Sequence, residues 1–273
     1  MKLAVLQMTS GIDPDANADV LVAAIAEAAA GGAAMLFSPE MSGLLDSDAS
    51  RANRHVVAEH KNPVLTRMRT AARDAGMWVH LGSLAVRSEG ETRWANRGFV
   101  IDDRGAVVAQ YDKMHLFDVD LATGESWRES SRYVAGGGAM TVDTPVGRLG
   151  LSICYDLRFP ALYQTLSAAG ATVLAIPAAF TVPTGRDHWH VLLRARAIEN
   201  AAFVVAAAQS GRHEDGRQTY GHSVVVDPWG NVVLDMGYAA GVGFVEIDPG
   251  QVDEVRRRIP VLSHRRAIEA VAT

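Results

Sequence analysis

The sequence of 273 residues contains a single cysteine, Cys154. One thiol cannot form an internal disulfide, which excludes the class of disulfide-stapled secreted domains. It also excludes zinc cages and iron–sulfur clusters whose protein ligands are all cysteines. We therefore expect a reducing, cytoplasmic location.

Long hydrophobic runs are also lacking. The apolar stretch near the N-terminus covers only residues 3–6, which is too short for the core of a signal peptide. No segment approaches the ~18 to 20 consecutive apolar residues of a membrane span. These absences predict that the protein has no membrane partner.

Basic residues are in deficit, with 26 Lys and Arg against 31 Asp and Glu and a net charge of −5. Nucleic-acid-binding proteins usually carry a basic excess or a basic stripe, so we expect no nucleic-acid partner. The one basic cluster, within residues 256–266, is interpreted as a solvated last helix and tail. Lysine itself is scarce. Where arginine is the usual basic residue, a lysine such as Lys113 is a candidate for a site that requires a compact ammonium.

The remaining composition is ordinary for a globular protein, with 48% hydrophobic and 21% charged residues. Strand-like and helix-like hydrophobic patterns alternate, and no linker, repeat or low-complexity tract divides the chain. We predict one α/β domain over residues 1–273, with helices covering the outer faces of the sheets. Capping signals predict helices over 14–31 and 62–76, and a later helix is predicted over 189–200. The stretch 112–140 is predicted to be irregular, and loops of this length are usually functional.

Cys154 lies between a strand predicted over 148–153 and a helix predicted from about residue 161. Such a turn can expose a nucleophile and direct backbone N–H groups at a developing oxyanion. The alternative is a buried cysteine that packs as a small hydrophobe. A thiol of ordinary pKa is mostly protonated at neutral pH, so a catalytic role requires a base or a cation nearby.

Glu40 and Lys113 are candidates for that base and that cation. Glu40 follows a short buried strand, which places a carboxylate at the edge of a sheet, where open α/β sheets build their sites. Lys113 lies in a mixed aromatic and charged stretch. Taken alone, each residue is equally consistent with a solvated surface position.

These residues and their motifs carry a family resemblance. Glu40, Lys113 in Tyr-Asp-Lys-Met-His-Leu-Phe-Asp and Cys154 in Cys-Tyr-Asp-Leu-Arg-Phe-Pro resemble, in order and spacing, the Glu-Lys-Cys triad of the nitrilase superfamily, the carbon–nitrogen hydrolases. The similarity covers nearly the whole chain. It implies a four-layer α-β-β-α sandwich, assembly into a homodimer or a higher homo-oligomer, and a reaction without a cofactor.

The resemblance also implies the chemistry. Glu40 takes the thiol proton, Cys154 attacks an amide carbonyl, and Lys113 with the backbone N–H of Tyr155 holds the oxyanion. Glu40 then protonates the departing ammonia and activates water against the thioester. A second active-site glutamate is assigned to Glu129, with the neighbouring Glu125 as the competing assignment.

The residues after Cys154 are similar to those of the amidase branch, and the region 188–223 is similar to deaminated glutathione amidases. The alternatives are the ω-amidases that hydrolyse α-ketoglutaramate and another amidase or nitrilase of the superfamily. Both substrates are small amides with a carboxylate, which Arg158 is a candidate to bind as a bidentate partner. Arg158 is equally consistent with an ion pair to Asp156. Phe180 is a candidate wall of the pocket, or part of the core.

Two further interpretations remain. His188 and His190 are two residues apart, so they do not face each other on a helix, and with no third ligand evident we predict no metal site. A catalytically silent binding protein of the same fold is the alternative from another functional class.

Overall fold

The computed structural model describes residues 1–88, 90, 92–120, 124 and 126–268. Within these residues the helices are Pro14–Ala30 (α1), Ala49–Ala52 (α2), Pro63–Ala75 (α3), Pro160–Ala168 (α4), Val182–Asn200 (α5) and Gly250–Arg258 (α6). The strands are Lys2–Gln7 (β1), Met35–Phe37 (β2), Trp78–Arg87 (β3), Trp94–Ile101 (β4), Val107–Asp112 (β5), Asp118–Asp120 (β6), Ser126–Arg128 (β7), Met140–Thr144 (β8), Gly147–Leu151 (β9), Val173–Ala175 (β10), Phe203–Ala206 (β11), Ser210–Arg212 (β12), Gln218–Tyr220 (β13), Val224–Val226 (β14), Val232–Asp235 (β15) and Gly241–Glu246 (β16).

Two six-stranded sheets form the centre of the molecule. The first has the order β16-β1-β2-β3-β4-β5 and the second the order β15-β14-β11-β10-β9-β8. Helices α1 and α3 pack on the outer face of the first sheet, and α4 and α5 pack on the outer face of the second. The predicted four-layer α-β-β-α sandwich is therefore confirmed.

The alternation of side chains in β1 shows why the sheets are buried on both faces. Leu3 and Val5 belong to the core between the two sheets, whereas Ala4 and Leu6 belong to the core beneath α1 and α3. Successive residues of a strand point to opposite faces, so a strand covered on both sides must be apolar throughout.

Capping residues set the ends of the outer helices where the sequence predicts them. The Asp13 side chain accepts a hydrogen bond from the Asp15 N–H (2.9 Å) at the start of α1. The Asn62 side chain accepts from the Leu65 N–H (3.1 Å) at the start of α3. Gly76 ends α3 at a φ of 60°, a left-handed conformation that glycine adopts without steric cost.

Three regions differ from the prediction. Helix α5 begins at Val182, seven residues before the predicted start, because Pro183 occupies its first turn and the polar residues there hide the apolar periodicity. The stretch predicted to be irregular contains the hairpin β6–β7 and a helical turn over Glu129–Ser131. A second hairpin, β12–β13, was also not predicted. Short polar hairpins lack the apolar alternation that indicates a strand.

The sheets bring three strand ends together. Glu40 follows β2, Lys113 follows β5, and Cys154 lies three residues after the end of β9. The first two strands belong to one sheet and the third to the other. The packing of the two sheets is therefore what places these three residues in one site.

Two expectations concern the outer surface of the protein, namely the absence of a membrane span and assembly into a homo-oligomer. None of the helices in that part of the chain is long and apolar enough to cross a membrane. Val191, Ile198, Trp229 and Tyr238 are exposed apolar side chains. The homo-oligomer stays a prediction.

At Gly82 the first sheet packs closely against the backbone of the segment that leads to Glu40. A Cβ at this position would lie 2.2 Å from the carbonyl oxygen of Ser38 and 2.4 Å from that of Pro39. We expect Gly82→Ala to lower the free energy of unfolding by about 1–3 kcal/mol, because the backbone must move to accommodate the methyl group. Urea denaturation measures the change.

Gly137→Ala is the matched control, because a Cβ at Gly137 would meet nothing within 4 Å. We expect its effect on the free energy of unfolding to stay within about 0.5 kcal/mol. Equal losses in both variants would contradict the proposed close packing at Gly82.

Candidate active site

Cys154 begins a tight helical turn, Cys154–Arg158, directly after the second sheet. Its φ of 51° lies in the left-handed region, which is strained for a residue with a side chain. The Cys154 N–H donates to the Pro177 carbonyl (2.9 Å), which holds the residue in this conformation. The N–H of Tyr155, in the first turn, donates to no acceptor within the described residues. The strand-to-helix turn predicted for Cys154 is present, and it leaves one amide donor available.

Glu40 is a buried carboxylate that lies at the centre of a hydrogen-bond network. One oxygen, Oε1, accepts from Lys113 Nζ (2.9 Å) and from Asn96 Nδ2 (2.9 Å). The other, Oε2, accepts from the Ala179 N–H (2.9 Å). A hydrogen-bond interaction with the Cys154 thiol also acts on this carboxylate. Glu40 therefore interacts with both the sulfur and the lysine.

The protonation states of Glu40 and Cys154 follow from this contact. Burial acts to raise the pKa of Glu40, but the Lys113 charge and the hydrogen bonds from Cys154, Lys113 and Asn96 outweigh it, so the pKa lies below its ordinary value. Burial and the negative charge of Glu40 raise the pKa of Cys154 well above its ordinary value. At neutral pH the site thus holds a thiol beside a carboxylate, which is the arrangement that a general base requires.

Lys113 is a buried ammonium shared between two glutamates. Its Nζ lies 2.9 Å from Glu40 Oε1 and 3.1 and 2.9 Å from the two oxygens of Glu129. Burial acts to lower the pKa of Lys113, but the charges of Glu129 and Glu40 raise it well above its ordinary value. The residue is therefore a permanent cation next to the thiol, able to stabilise a developing oxyanion.

Glu129 reaches the site from the turn that follows β7. Its Oε2 accepts from the Phe117 N–H (2.7 Å) and its Oε1 accepts from Asn96 Nδ2 (3.2 Å), in addition to Lys113. The structure therefore brings Glu129 to the predicted triad. The competing assignment, Glu125, lies outside the described residues.

Asn96 and Asp156 are site residues that the sequence analysis did not identify. The Asn96 amide on β4 donates to both glutamates, so it sets their separation. Asp156 is fully buried two residues after the nucleophile candidate. Nothing in the local pattern distinguishes Asn96 from other strand residues. Asp156, by contrast, belongs to the motif around Cys154, and that motif is visible in the sequence.

Asp156 ties the lysine segment to the cysteine turn. Its Oδ1 accepts from the His115 N–H (3.0 Å) and lies 2.7 Å from His115 Nδ1. Its Oδ2 accepts from the Tyr111 hydroxyl (2.8 Å) and from the Ile153 N–H (2.8 Å). Burial and this negative charge raise the pKa of Tyr111 far above its ordinary value, so the phenol stays a donor. The Asp156 carboxylate thus fixes the segment that carries Lys113 relative to the turn that carries Cys154.

The three predicted substrate-binding residues do not share one position. Tyr155 and Phe180 line the cavity above Cys154, whereas Arg158 is not among the lining residues. The Arg158 guanidinium lies over the rings of Phe180 (5.5 Å) and Tyr155 (5.8 Å), with Nη1 3.2 Å from His188 Nδ1. It does not pair with Asp156.

The cavity above the three candidate catalytic residues has a volume of about 970 Å³. Its floor includes Glu40, Lys113, Glu129 and Cys154. Its walls include the aromatic residues Trp94, Phe117, Trp127, Tyr133, Tyr155 and Phe180 and the arginines Arg128, Arg132 and Arg217. Concave, largely apolar sites with a few convergent polar groups are typical of small-molecule binding.

His188 and His190, the pair considered as metal ligands, have different partners, and His190 shares its partner with His222. His190 Nε2 lies 2.9 Å from Asp235 Oδ2, and His222 Nδ1 lies 2.8 Å from Asp235 Oδ1. Ligand atoms of these three residues lie within 4.8 Å of one another, a grouping of the kind that can hold a metal. The shared carboxylate already serves as hydrogen-bond partner to both imidazoles, and His188 faces Arg158 instead.

The comparisons with known proteins agree with this geometry. A family model described as carbon-nitrogen hydrolase matches residues 2–257. The chain is 40% identical over 242 residues to the deaminated glutathione amidase of Yersinia enterocolitica, covering 88% of this chain and 84% of that protein. It is 40% identical over 268 residues to the Homo sapiens protein of the same name, covering 97% of this chain and 82% of that protein. The fold is also similar to the structure of Saccharomyces cerevisiae Nit3, a member of branch 10 of the nitrilase superfamily. The two structures align with a TM-score of 0.87 at 25% identity, covering 98% of this chain and 97% of that chain.

Asp156→Asn tests the connection between the lysine segment and the cysteine turn. The amide retains one acceptor oxygen and turns an N–H₂ group toward donors, so we expect the free energy of unfolding to fall by about 3 kcal/mol. Urea denaturation measures this loss. Asp187→Asn is the control, because the exposed pair with Arg186 contributes about 0.5 kcal/mol or less. An Asp156→Asn variant as stable as the control would refute this connection.

Glu40→Gln tests the electrostatic origin of the thiol pKa. The neutral amide removes the negative charge and leaves Lys113 in place, so we expect the pKa of Cys154 to fall below that of the unsubstituted protein. The ultraviolet absorbance of the thiolate against pH measures it, taken as the difference from the matching Cys154→Ala variant so that the absorbance of the six tyrosines cancels. An unchanged or higher pKa in the variant would show that Glu40 does not act on the sulfur.

Proposed function

The chain belongs to the carbon–nitrogen hydrolase family and is a hydrolase that acts on amides, and we propose that its substrate is deaminated glutathione. The observation that carries the proposal is the contact of the Cys154 thiol with Glu40, beside Lys113, at the floor of a large cavity. The relatives that share the name deaminated glutathione amidase support this choice of substrate.

The first half of the reaction begins with the proton on Cys154, whose sulfur interacts with the Glu40 carboxylate. The thiol proton moves to the Glu40 carboxylate as the sulfur forms a bond with the amide carbonyl carbon. The carbonyl oxygen becomes an oxyanion, which the Lys113 ammonium and the unused N–H of Tyr155 stabilise. Both donors are fixed before the substrate arrives, so no reorganisation is needed as the charge develops.

The leaving group differs from the ammonia expected from the sequence. Deaminated glutathione carries a cysteinylglycine unit on the nitrogen of the scissile amide, so the group that departs is a dipeptide amine. Glu40, now protonated, gives its proton to that nitrogen as the C–N bond breaks. The remaining acyl group is an α-ketoglutaryl thioester on Cys154.

The second half returns the site to its starting state. Glu40, again a carboxylate, takes a proton from a water molecule whose oxygen attacks the thioester carbonyl. The C–S bond breaks, the sulfur regains a proton from Glu40, and α-ketoglutarate leaves. Glu129 acts as a positioning residue in both halves, because it holds Lys113 through both of its oxygens.

The size of the cavity favours deaminated glutathione over the ω-amide alternative. A volume of about 970 Å³ far exceeds what α-ketoglutaramate occupies, and six aromatic side chains line the cavity. A tripeptide-sized substrate uses these walls, whereas a small ω-amide leaves them in contact with water. Buried apolar contacts of this kind strengthen binding of the larger substrate.

Product analysis separates the candidate functions. Both substrates yield α-ketoglutarate, but only deaminated glutathione yields cysteinylglycine and only α-ketoglutaramate yields ammonia. We expect kcat/KM to be at least about tenfold higher for deaminated glutathione, because its larger leaving group buries more surface. A preference for α-ketoglutaramate would overturn the substrate proposal, and turnover of neither amide would favour a binding protein.

Cys154→Ala is the test of the nucleophile. Loss of the sulfur removes the covalent route, so we expect turnover to fall by at least about 10³-fold. In the unsubstituted protein, rapid acid quenching followed by intact-mass measurement should detect one α-ketoglutaryl group on Cys154. Persistence of turnover in the alanine variant would exclude the thioester mechanism.

A further inference from the structure

We propose that Arg217 binds the terminal carboxylate of the leaving group, and so selects substrates that end in a carboxylated dipeptide. This inference rests on the proposed function and deepens it. Arg217 lies in the loop between β12 and β13, a hairpin that the sequence analysis did not predict, and it lines the cavity.

Two neighbours fix the orientation of the Arg217 guanidinium. Its Nε donates to Asp215 Oδ2 (2.8 Å), and the Asp215 side chain is fully buried. Its central carbon lies 5.2 Å from the centre of the Trp127 ring, at a distance typical of a cation–π contact. One edge and one face of the group are therefore held in place before a substrate binds.

The other edge of the guanidinium remains for a ligand. Neither Nη1 nor Nη2 of Arg217 donates to an acceptor within the described residues, although the side chain is only 23% exposed. Two parallel N–H groups in this fixed arrangement match the two oxygens of a carboxylate. The nearby acid Asp46 is paired with Arg51, so it does not compete for Arg217.

The other arginines of the cavity are arranged differently. Arg128 makes two hydrogen bonds to Asp120 and further ones to the carbonyls of Val119 and Trp127. Arg132 is half-buried and donates to the Ser47 carbonyl. Neither combines a buried acidic anchor with a stacked ring, so Arg217 is the pre-organised cation of the three.

The hairpin that carries Arg217 is attached to the segment that contacts Glu40. The Tyr220 N–H donates to the Phe180 carbonyl, and Thr219 pairs with Thr181 in antiparallel fashion. The hairpin is therefore fixed next to Ala179, whose N–H contacts Glu40, and Arg217 lines the same cavity as Cys154. A dipeptide leaving group extends about 7 Å from the scissile bond, which carries its terminal carboxylate away from Cys154 and into the cavity that Arg217 lines.

The experiment compares substrates that differ in one carboxylate. Deaminated glutathione carries the glycine carboxylate, its glycinamide analogue replaces that group with a neutral amide of the same size, and both retain the α-keto acid. Arg217→Lys keeps a cation for Asp215, and so keeps the fold, but it cannot form two parallel N–H bonds. Arg217→Met removes the charge altogether.

We expect both Arg217 variants to lower kcat/KM for deaminated glutathione by roughly tenfold or more, mainly through KM. For the glycinamide analogue the loss should be much smaller, so the preference for the carboxylate disappears. Arg128→Met is the matched control, because Asp120 already occupies that guanidinium, and its preference between the two substrates should match that of the unsubstituted protein.

A binding measurement tests the role of Arg217 independently of turnover. In a Cys154→Ala background, calorimetry should give a tenfold or greater weakening of deaminated glutathione binding when Arg217 becomes Lys, and little change for the glycinamide. Equal losses for both ligands, or none, would overturn the role of Arg217 even if deaminated glutathione is the substrate. Absence of cysteinylglycine release by the unsubstituted protein would instead overturn the proposed function, and absence of binding would overturn both.

Discussion

The burial of one ammonium between two carboxylates is the constraint on which the rest of the site depends. Lys113 is 2% exposed and contacts Glu40 and Glu129 at hydrogen-bond distance. A buried charge is tolerated only when its partners are close and well oriented, because desolvation costs several kcal/mol per ion. The negative charges of Glu40 and the half-buried Glu129 exceed the one positive charge of Lys113, so the site carries excess negative charge. Burial of the thiol and the negative charge of Glu40 together keep the Cys154 proton on sulfur until a substrate arrives.

The scaffold around this charge cluster is built to keep it from moving. Asn96 donates to both glutamates, and Asp156 joins the backbone of the lysine segment to the backbone of the cysteine turn. Cys154 itself is held in a left-handed conformation by the packing around it. Strain of this kind persists only where the surrounding structure determines it, and here it leaves the Tyr155 N–H available to an oxyanion. The contacts that keep the backbone rigid are therefore the same contacts that hold the Cys154 sulfur in its reactive position.

Outside this cluster the cavity is shaped by two hairpins that carry few hydrophobic residues. The first, β6–β7, contributes Trp127, and the turn after it contributes Glu129. The second, β12–β13, contributes Arg217, which stacks on Trp127. Segments with little apolar surface depend on such tertiary contacts for their conformation, so the substrate-facing wall is a product of the fold and not of local propensity.

The sequence by itself determined the fold class, the helix ends at Asp13, Asn62 and Gly76, and the order of Glu40, Lys113 and Cys154, because hydrophobic period, capping chemistry and motif order are local properties. Glu129 also came from a motif, although the choice against Glu125 did not. Asn96, the stacked position of Arg158 and the pairing of Arg217 with Trp127 were decided only by the tertiary structure. Each joins residues distant in the chain through contacts between two sheets or two hairpins, and no local pattern encodes such a distance.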